Sequence, residues 1–287
     1  MVSQDKSAPA FGAEGRVRAE TAPATGASWL GSARRLRPVV VGAISLVAVT
    51  VLWHLSTIYI FNPVLVPTPF ATFREAVAMI ESGELFVHVG ISLKRILVGF
   101  VTGSVVGIVI GTLIGHFRLL REFADPVIEL IRPISPVALV PVAILWFGIE
   151  ELSRYFIIFY ATVLVVMLNT AAGVSVQPVT RLRAAKSLGA DNRQIFLHVV
   201  LPSAVPHILT GMRIAIGFSF MGVVAAEMIG ASTGIGYLIM QSRLMILPER
   251  MFVGLVSLSI VGLITDRIFR WLLDWSTRRF TQYQAKA

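Results

Sequence analysis

Long apolar segments dominate the chain, and short polar stretches separate them. About 20 consecutive apolar residues cross a bilayer as a helix, and six segments approach that length, some of them shorter or interrupted. They lie near residues 38–61, 96–115, 134–149, 155–176, 207–230 and 251–271. Hydrophobic residues make up 55% of the chain and charged residues only 14%, whereas about 25% of the residues of soluble domains are charged. The pattern predicts an all-α integral membrane protein with about six transmembrane helices.

Basic residues flank these segments and predict their orientation. Clusters precede the first segment, follow the second, separate the fourth from the fifth and follow the sixth. They are Arg34, Arg35 and Arg37; Arg118 and Arg121; Arg181, Arg183, Lys186 and Arg193; and Arg267, Arg270, Arg278 and Arg279. With six spans all four clusters lie on one side, and the positive-inside rule makes that side, with both termini, cytoplasmic. Lys94 and Arg95 are an exception, since they fall at the opposite end of the second span.

The two ends of the chain differ in composition from its middle. The first 30 residues are rich in Ala, Ser and Gly without apolar periodicity, which predicts a disordered cytoplasmic tail over residues 1–33. Residues 34–275 form the predicted transmembrane domain, and 276–287 a cytoplasmic C-terminal tail. The first apolar segment is too long for a signal peptide and no A-x-A-like cleavage site follows it, so we interpret it as a retained helix. Trp271, Trp275 and nearby basic residues suit the headgroup region, which makes membrane lipid a partner.

A polar island, Arg183 to Pro202, interrupts the apolar pattern between the fourth and fifth segments, within a loop over residues 178–206. The first half of the loop predicts a short helix that starts near Pro178 and stops at Gly189. Asp191 and Gln194 predict a capping box for a second helix, Asn192 to Val200, which Pro202 and Pro206 would end. We call residues 178–206 the elbow. Its small residues would let a partner surface approach the backbone closely.

Glycine recurs at every fourth position of the second segment, at residues 99, 103, 107, 111 and 115. Small residues at that spacing form a ridge along which another helix can pack closely. The row therefore predicts tight packing within a bundle and no chemistry.

Three prolines lie close together in the third segment, at Pro133, Pro136 and Pro141. Each removes a backbone donor, so an unbroken helix cannot contain all three. Either the segment is kinked or partly unwound, which inside a membrane is tolerated only in protein or beside an aqueous cavity, or a helix simply begins after Pro136. On the first interpretation Pro133, Ser135 and Pro136 are candidate residues of a translocation pathway.

Two sequence patterns point to a family. In the elbow, Ala184 and Ala185 are followed by Gly189 four residues on, and the run Val199-Val200-Leu201-Pro202 comes ten residues later. This spacing resembles the cytoplasmic loop motif of ATP-binding-cassette (ABC) importer permeases. The run L-I-R-P-I-S-P-V-A-L-V-P-V-A-I-L-W-F-G-I, with Asn169-Thr170 further on, resembles the nitrate, sulfonate and taurine branch of these permeases. The resemblance covers roughly residues 85 to 275.

The resemblance implies a fold and a role for the elbow. The fold would be that of a type I ABC importer permease, a transmembrane bundle with a cytoplasmic coupling helix. The elbow would dock the ATPase, and the implied coupling residues are Ala184, Ala185, Gly189, Leu201 and Pro202. The family commonly has an acidic residue where this chain has Arg183, so an ionic contact through that position would be different here or absent.

The resemblance also implies partners. Two permease copies, expected as a homodimer, would join two ATP-binding subunits and receive solute from a solute-binding protein at a bacterial inner membrane. The chain has no P-loop motif, so ATP and Mg²⁺ would bind the partner, and no cofactor is expected on this chain. The branch implies a small anion such as nitrate, a sulfonate or taurine, with a thiamine-precursor-like organic solute as the alternative.

Two polar residues inside apolar segments are further pathway candidates. Glu227 is the one carboxylate within an apolar run, and ionisable residues in membranes are functional candidates by default. The glycines that follow it place it near the outer interface, where Arg243 or Arg250 could be a structural partner instead. Asn169 could line a path or hydrogen-bond to another helix, and packing is the favoured interpretation.

Other function classes find less support in the sequence. The five histidines lack metal-ligand spacing, no nucleophile motif occurs, and the dispersed net charge of +9 does not form a nucleic-acid-binding stripe. We therefore expect neither an enzyme, nor a metal site, nor a nucleic-acid partner. An ion-coupled secondary transporter should show internal repeats and several intramembrane charges, and a membrane scaffold would not need both the elbow motif and the proline-rich segment.

Overall fold

The computed structural model describes the backbone of residues 28–62 and 65–284 and the side chains of residues 40–62 and 65–273. All regular elements in these ranges are helices. They are α1 (Ser28–Tyr59), α2 (Pro69–Glu81), α3 (Glu84–His116), α4 (Arg118–Ile131), α5 (Val140–Phe147), α6 (Glu151–Ser175), α7 (Val179–Ser187), α8 (Asn192–Ile195), a π-helical turn (Phe196–Val200), α9 (Leu201–Gly230), α10 (Ile235–Leu244) and α11 (Pro248–Gln284).

Some predictions fall outside these ranges. Of the tail predicted over residues 1–33, residues 1–27 lie outside the described residues. Residues 28–33 belong to α1, which begins at Ser28. The side chains of the first basic cluster, of Trp275 and of the last two arginines are also not among those described.

The chain divides into two units, residues 1–52 and 53–287. The described part of the first unit is the apolar body of α1, whose side chains from Val40 to Leu52 are exposed, as suits a helix that contacts lipid. The second unit contains the other helices and all the sites described below.

Five helical stretches are long and apolar enough to cross a membrane, and each of them overlaps one of the six predicted segments. They are Val40–Tyr59, Glu84–His116, Glu151–Ser175, Asn192–Gly230 and Pro248–Leu273. The remaining segment, 134–149, holds a non-helical turn followed by the short α5. Both interpretations of its prolines are partly right. The chain is irregular to Leu139, and α5 then carries Pro141 in its first turn, where the missing N–H has no intrahelical partner to lose.

The centre of the bundle is the contact between α3 and α6. At each of the five glycines that recur every fourth residue in α3, an added Cβ would come within 2.5–2.9 Å of an atom of α6. Real side chains never approach so closely, so the two backbones can meet only because these residues lack a Cβ. The packing role predicted for the glycine row is confirmed.

Helix α9 packs on another side of α6. The Thr162 and Ser219 hydroxyls lie 2.9 Å apart across this contact and are both fully buried. Near one end, an added Cβ at Gly173 would lie 2.5 Å from His207 Cβ, and one at Gly211 would lie 2.6 Å from Asn169 Cβ. Small residues therefore bring α3, α6 and α9 together as three tightly packed helices.

We predict that Gly107→Leu destabilises the bundle. An added Cβ would already lie 2.9 Å from the Val163 carbonyl oxygen of α6, so a leucine must push the helices apart, at a cost of several kcal/mol. The measurement is the thermal unfolding midpoint of the detergent-purified chain. Gly90→Leu is the matched control, because Gly90 is on the same helix and its Cβ direction is open. Equal midpoints for the two variants would contradict the packing role.

Candidate functional site

The first arm of the elbow is α7. Helix α7 runs from Val179 to Ser187 and ends in a turn whose Gly189 has φ +80°. The N–H of Ala190 donates to the Ala185 carbonyl oxygen at 3.1 Å, and that of Gly189 to the Lys186 carbonyl oxygen at 3.0 Å. Gly189 thus ends the helix in the left-handed conformation, as the sequence predicts. Most residues other than glycine adopt this conformation only at a cost in free energy.

The second arm begins as predicted and continues much further. The Gln194 N–H donates to Asp191 Oδ1 at 2.6 Å, and the Asp191 N–H donates to Gln194 Oε1 at 2.9 Å, so the capping box is confirmed. The prediction that Pro202 and Pro206 end this helix is wrong. Residues 192–230 form one continuous helical stretch.

A π-helical turn lies directly before the two prolines. It spans Phe196–Val200, and the Leu201 N–H bonds to the Phe196 carbonyl oxygen. Pro202 follows this turn as the second residue of α9, and Pro206 lies further inside the same helix. Neither proline can donate a backbone hydrogen bond. The elbow is thus joined without a break to a helix that is long enough to cross the membrane.

The elbow has a core-facing side and an exposed side. Leu182, Ala185 and Ala190 pack on the cluster formed by Val174, Ile195, Val200, Ala204 and Ile208, which belongs to α6, α8, the π-helical turn and α9. Of the predicted coupling residues, Ala185 therefore supports the elbow from inside. Leu201 and Pro202 are half-buried at the start of α9.

The exposed side carries the other predicted coupling residues. Arg183, Ala184 and Gly189 are exposed, and an added Cβ at Gly189 would meet no atom within 4 Å. Leu188 between them is 87% exposed. The exposed side thus combines one large apolar side chain with small residues and nearby basic residues.

The proline-rich segment lies against α6 through a residue that sequence reasoning missed. The Tyr160 hydroxyl lies 3.1 Å from the carbonyl oxygens of both Ile131 and Ile134. These carbonyls belong to the turn that contains Arg132 and Pro133. Pro133 and Ser135 are exposed and Pro136 is half-buried. No local signal in the sequence ties Tyr160 to this turn, because the two are 26 to 29 residues apart.

Asn169 is half-buried at the contact between α6 and α9. Its amide nitrogen donates to the Val165 carbonyl oxygen of its own helix at 2.8 Å, and its Cβ faces Gly211 of α9. The structure thus places Asn169 in a helix contact, as the favoured interpretation expects.

Glu227 is fully buried in a cluster of charges. Its Oε1 accepts from Arg95 Nη1 at 2.8 Å, and its Oε2 accepts from the Gly236 N–H at 2.8 Å. The Ser92 hydroxyl lies within 2.9 Å of both carboxylate oxygens. The partners expected for Glu227 were Arg243 and Arg250, and this expectation is wrong.

Those two arginines lie elsewhere. Arg250 bridges Glu75 at 2.8 Å and Glu84 at 3.4 Å, and Arg243 contacts the sulfur of Met240.

Arg95 is the centre of this ion cluster, which we define as Arg95, Glu151, Arg154 and Glu227. Arg95 is 1% exposed and holds Glu151 through two bonds of 2.8 and 2.6 Å. Arg154 Nη1 donates to the same carboxylate at 2.8 Å. Two cations and two anions thus neutralise one another, which a buried charge requires. Arg95, one of the two exceptions to the positive-inside rule, is therefore a structural residue. The other exception, Lys94, is exposed.

The ion cluster also fixes the turn between α9 and α10. Arg95 Nη1 donates to the Thr233 carbonyl oxygen at 2.6 Å, and the Gly234 N–H donates to His88 Nδ1 at 3.0 Å. An added Cβ at Gly234 would overlap the Glu227 carboxylate, so the glycine is needed for this close approach. The cluster joins α3, α6 and α9 at the end of the bundle far from the elbow. Within the described residues no group of three or more His, Cys, Asp or Glu side chains could hold a metal ion.

We predict that Glu227→Ala destabilises the chain by about 3–5 kcal/mol, because Arg95 would remain buried with only part of its charge compensated. The measurement is the free energy of unfolding in a denaturant titration of the detergent-purified chain. Glu122→Ala is the control, since Glu122 pairs with Arg118 at 2.8 Å in an exposed position and its loss should not be measurable. A Glu227→Ala variant as stable as this control would contradict the role of the ion cluster.

Several relatives match this chain in sequence over most of their length. A putative ABC transporter permease protein of Methanocaldococcus jannaschii is 39% identical over 229 residues, which cover 78% of this chain and 86% of the relative. A putative aliphatic sulfonates transport permease protein, SsuC of Bacillus subtilis, is 34% identical over 236 residues, which cover 81% of this chain and 79% of the relative. The taurine transport system permease protein TauC of Escherichia coli is 30% identical over 245 residues, which cover 84% of this chain and 88% of the relative.

The fold has a solved counterpart. A chain in the crystal structure of an amino acid ABC transporter with histidines superposes with a TM-score of 0.56 at 18% identity, over 71% of this chain and 97% of that one. Residues 103–277, more than half of the chain, match the family described as binding-protein-dependent transport system inner membrane component. From this match and from the relatives, the chain belongs to this family, the permeases of ABC importers.

Proposed function

We propose that this chain is the permease subunit of an ABC importer that carries a small anion, such as a sulfonate, taurine or nitrate, into the cell. The membership of the family supports the importer, and the names of relatives that serve sulfonates and taurine support the anion. A thiamine-precursor-like organic solute is the alternative within the same family. The subunit itself performs no hydrolysis, and a partner ATPase supplies the energy.

The observation that carries this proposal is the two-sided elbow. Its exposed side offers Leu188 beside the small residues Ala184 and Gly189, and its inner side packs on the core of the bundle. A partner bound to the exposed side would therefore push on α6 and α9 directly. That is the arrangement a coupling element needs, because the ATPase site and the translocation pathway must both bias the same two-state helical bundle.

The continuous helix from Asn192 to Gly230 would carry the movement across the membrane. It starts at the elbow, passes through the packed centre and ends at the ion cluster. A rigid helix transmits a displacement at one end to the other, as in the domain movements of known switches. ATP binding to the partner would then shift the bundle between inward-open and outward-open states.

The assembly and its orientation complete the proposal. Two copies of this chain, two ATP-binding subunits that hold ATP and Mg²⁺, and a solute-binding protein would form the importer. The elbow and both termini would be cytoplasmic, in line with the four basic clusters. The ion cluster would then lie toward the outer face. Arg183 would meet a different group on the ATPase from the one that an acidic residue meets in other permeases.

We predict that Gly189→Arg removes the ATPase from the purified permease. The tagged chain is co-expressed with candidate ATP-binding subunits, and the ATPase retained after detergent purification is measured. We expect a loss of about tenfold or more, because the arginine projects from the surface that the partner must approach.

Gly189→Asn is the matched control. Asparagine tolerates the left-handed backbone of φ +80° and is much smaller than arginine, so this variant should keep most of the ATPase. Loss in both variants would assign the effect to the turn and not to the surface. If the wild-type chain binds none of the candidates, the importer proposal fails, and an ion-coupled secondary transporter becomes the better interpretation.

A further inference from the structure

Helix α4 carries a row of charged residues along one face. Arg118, Glu122, Asp125, Glu129 and Arg132 follow one another at alternating steps of four and three residues, which is the spacing of a single helix face. We call these five residues the α4 charged face. No residue of α4 is buried within the chain.

The position of α4 relative to α6 shows how deep this face extends. Helix α4 begins two residues after α3 ends at His116, and an added Cβ at Gly115 would lie 2.6 Å from Val174 Cβ in α6. The first turn of α4 is therefore near the level of Val174. At its other end, the Ile131 carbonyl oxygen lies 3.1 Å from the Tyr160 hydroxyl, so α4 ends near the level of Tyr160.

The length of α4 agrees with the distance between Tyr160 and Val174 along α6. Tyr160 and Val174 are about 21 Å apart along α6, since a helix rises about 1.5 Å per residue, and the 14 residues of α4 span the same length. Helix α4 therefore runs alongside α6, which is itself long and apolar enough to cross the membrane. An amphipathic helix that lies flat in the headgroup region would stay at the level of Val174 and could not reach Tyr160.

A charged face at this depth must contact water or protein. Tyr160 lies about 14 Å along α6 from its first residue, Glu151, well inside a hydrocarbon core about 30 Å thick. Charges exposed to lipid there are strongly unfavourable, and such residues almost always line an aqueous cavity or find a partner. Irregular backbone, such as the turn from Arg132 to Leu139, is tolerated at that depth under the same condition.

Arg132 is the cation at the deep end of this face. Its side chain is exposed and forms no hydrogen bond or ion pair with any residue that the structure describes. At the other end of the face, Arg118 is neutralised by Glu122 at 2.8 Å. Arg121 also lies near that end and donates to the Gly115 carbonyl oxygen at 2.7 Å. Asp125 and Glu129 carry the opposite sign, so Arg132 is the cation of α4 that lies deepest along α6.

We propose that the α4 charged face lines the water-filled translocation pathway and that Arg132 binds the anionic group of the passing solute. The inference rests on the proposed function, which supplies an anionic solute. It assigns the discrimination between anions and cations inside the membrane to one side chain of this chain.

The absence of cysteine makes the test direct, because a single introduced thiol is the only one in the chain. Ser135→Cys places it on the exposed turn three residues after Arg132. The full-length chain is reconstituted in vesicles without any partner, so that no thiol of another protein is present. The rates of modification by the anionic reagent sulfonatoethyl methanethiosulfonate and by the cationic trimethylammonioethyl methanethiosulfonate are then compared.

We expect both reagents to react, and we expect Arg132→Gln to lower the ratio of the anionic to the cationic rate by at least about threefold, since one positive charge near the thiol is removed. Arg132→Lys should keep the ratio close to that of the parent. Lys94→Gln is the matched control, because it removes the same charge from an exposed position on α3, and it should leave the ratio unchanged.

Two further thiols test the depth argument without relying on Arg132. Asp125→Cys should react with both reagents, and Phe123→Cys, an exposed apolar position elsewhere on α4, should not, because it would face lipid or protein. No reaction at Ser135→Cys and Asp125→Cys would place this face against protein and overturn the proposal. An unchanged ratio in Arg132→Gln would overturn the role of Arg132.

These outcomes are distinct from failure of the proposed function. Labelling and its charge preference can be measured on the full-length chain alone, whereas the proposed function fails if no ATPase co-purifies. A chain that binds its ATPase but shows no charge preference at residue 135 would keep the importer and lose only the anion contact.

Discussion

The close approach of α3 and α6 is the constraint on which the rest of the bundle depends. Five glycines let the two backbones meet at distances that a Cβ would not allow, and in a membrane such van der Waals contact drives helix association. The contact also sets the depth of other elements, since Gly115 fixes the end of α3 beside Val174. Helix α9 then packs on the free side of α6, and the elbow rests on the cluster that α6 and α9 form together.

The two ends of the bundle use different interactions. At the elbow end, apolar packing holds α7 and leaves an exposed surface of small residues around Leu188. At the other end, the ion cluster joins three helices through three buried charges, Arg95, Arg154 and Glu227, and the exposed carboxylate of Glu151. Removing water raises the energy of each single charge and strengthens each pair, so this end is expected to be rigid only while all four members are present. The continuous helix from Asn192 to Gly230 connects both ends.

Charges beside the long apolar helices fall into two classes that the sequence does not separate. Arg95 and Glu227 are buried and paired with each other, so their role is structural. The α4 charged face is exposed, and its deep arginine has no partner among the residues that the structure describes. Both classes satisfy the rule that membrane charges avoid lipid. One does so through protein, and we infer that the other does so through water.

The sequence by itself determined the helical class, five of the long helices, the packing role of the glycine row, the capping box at Asp191 and the stop at Gly189, because each depends on periodicity or on backbone chemistry within a few residues. It also identified the elbow through motif spacing. Only the tertiary structure decided that Arg95 pairs with Glu227, that Tyr160 holds the proline turn and that a π-helical turn carries the chain past Pro202 into α9. The pairings join residues far apart in the chain, and the prolines by themselves predict a helix end, so local patterns could not reveal these features.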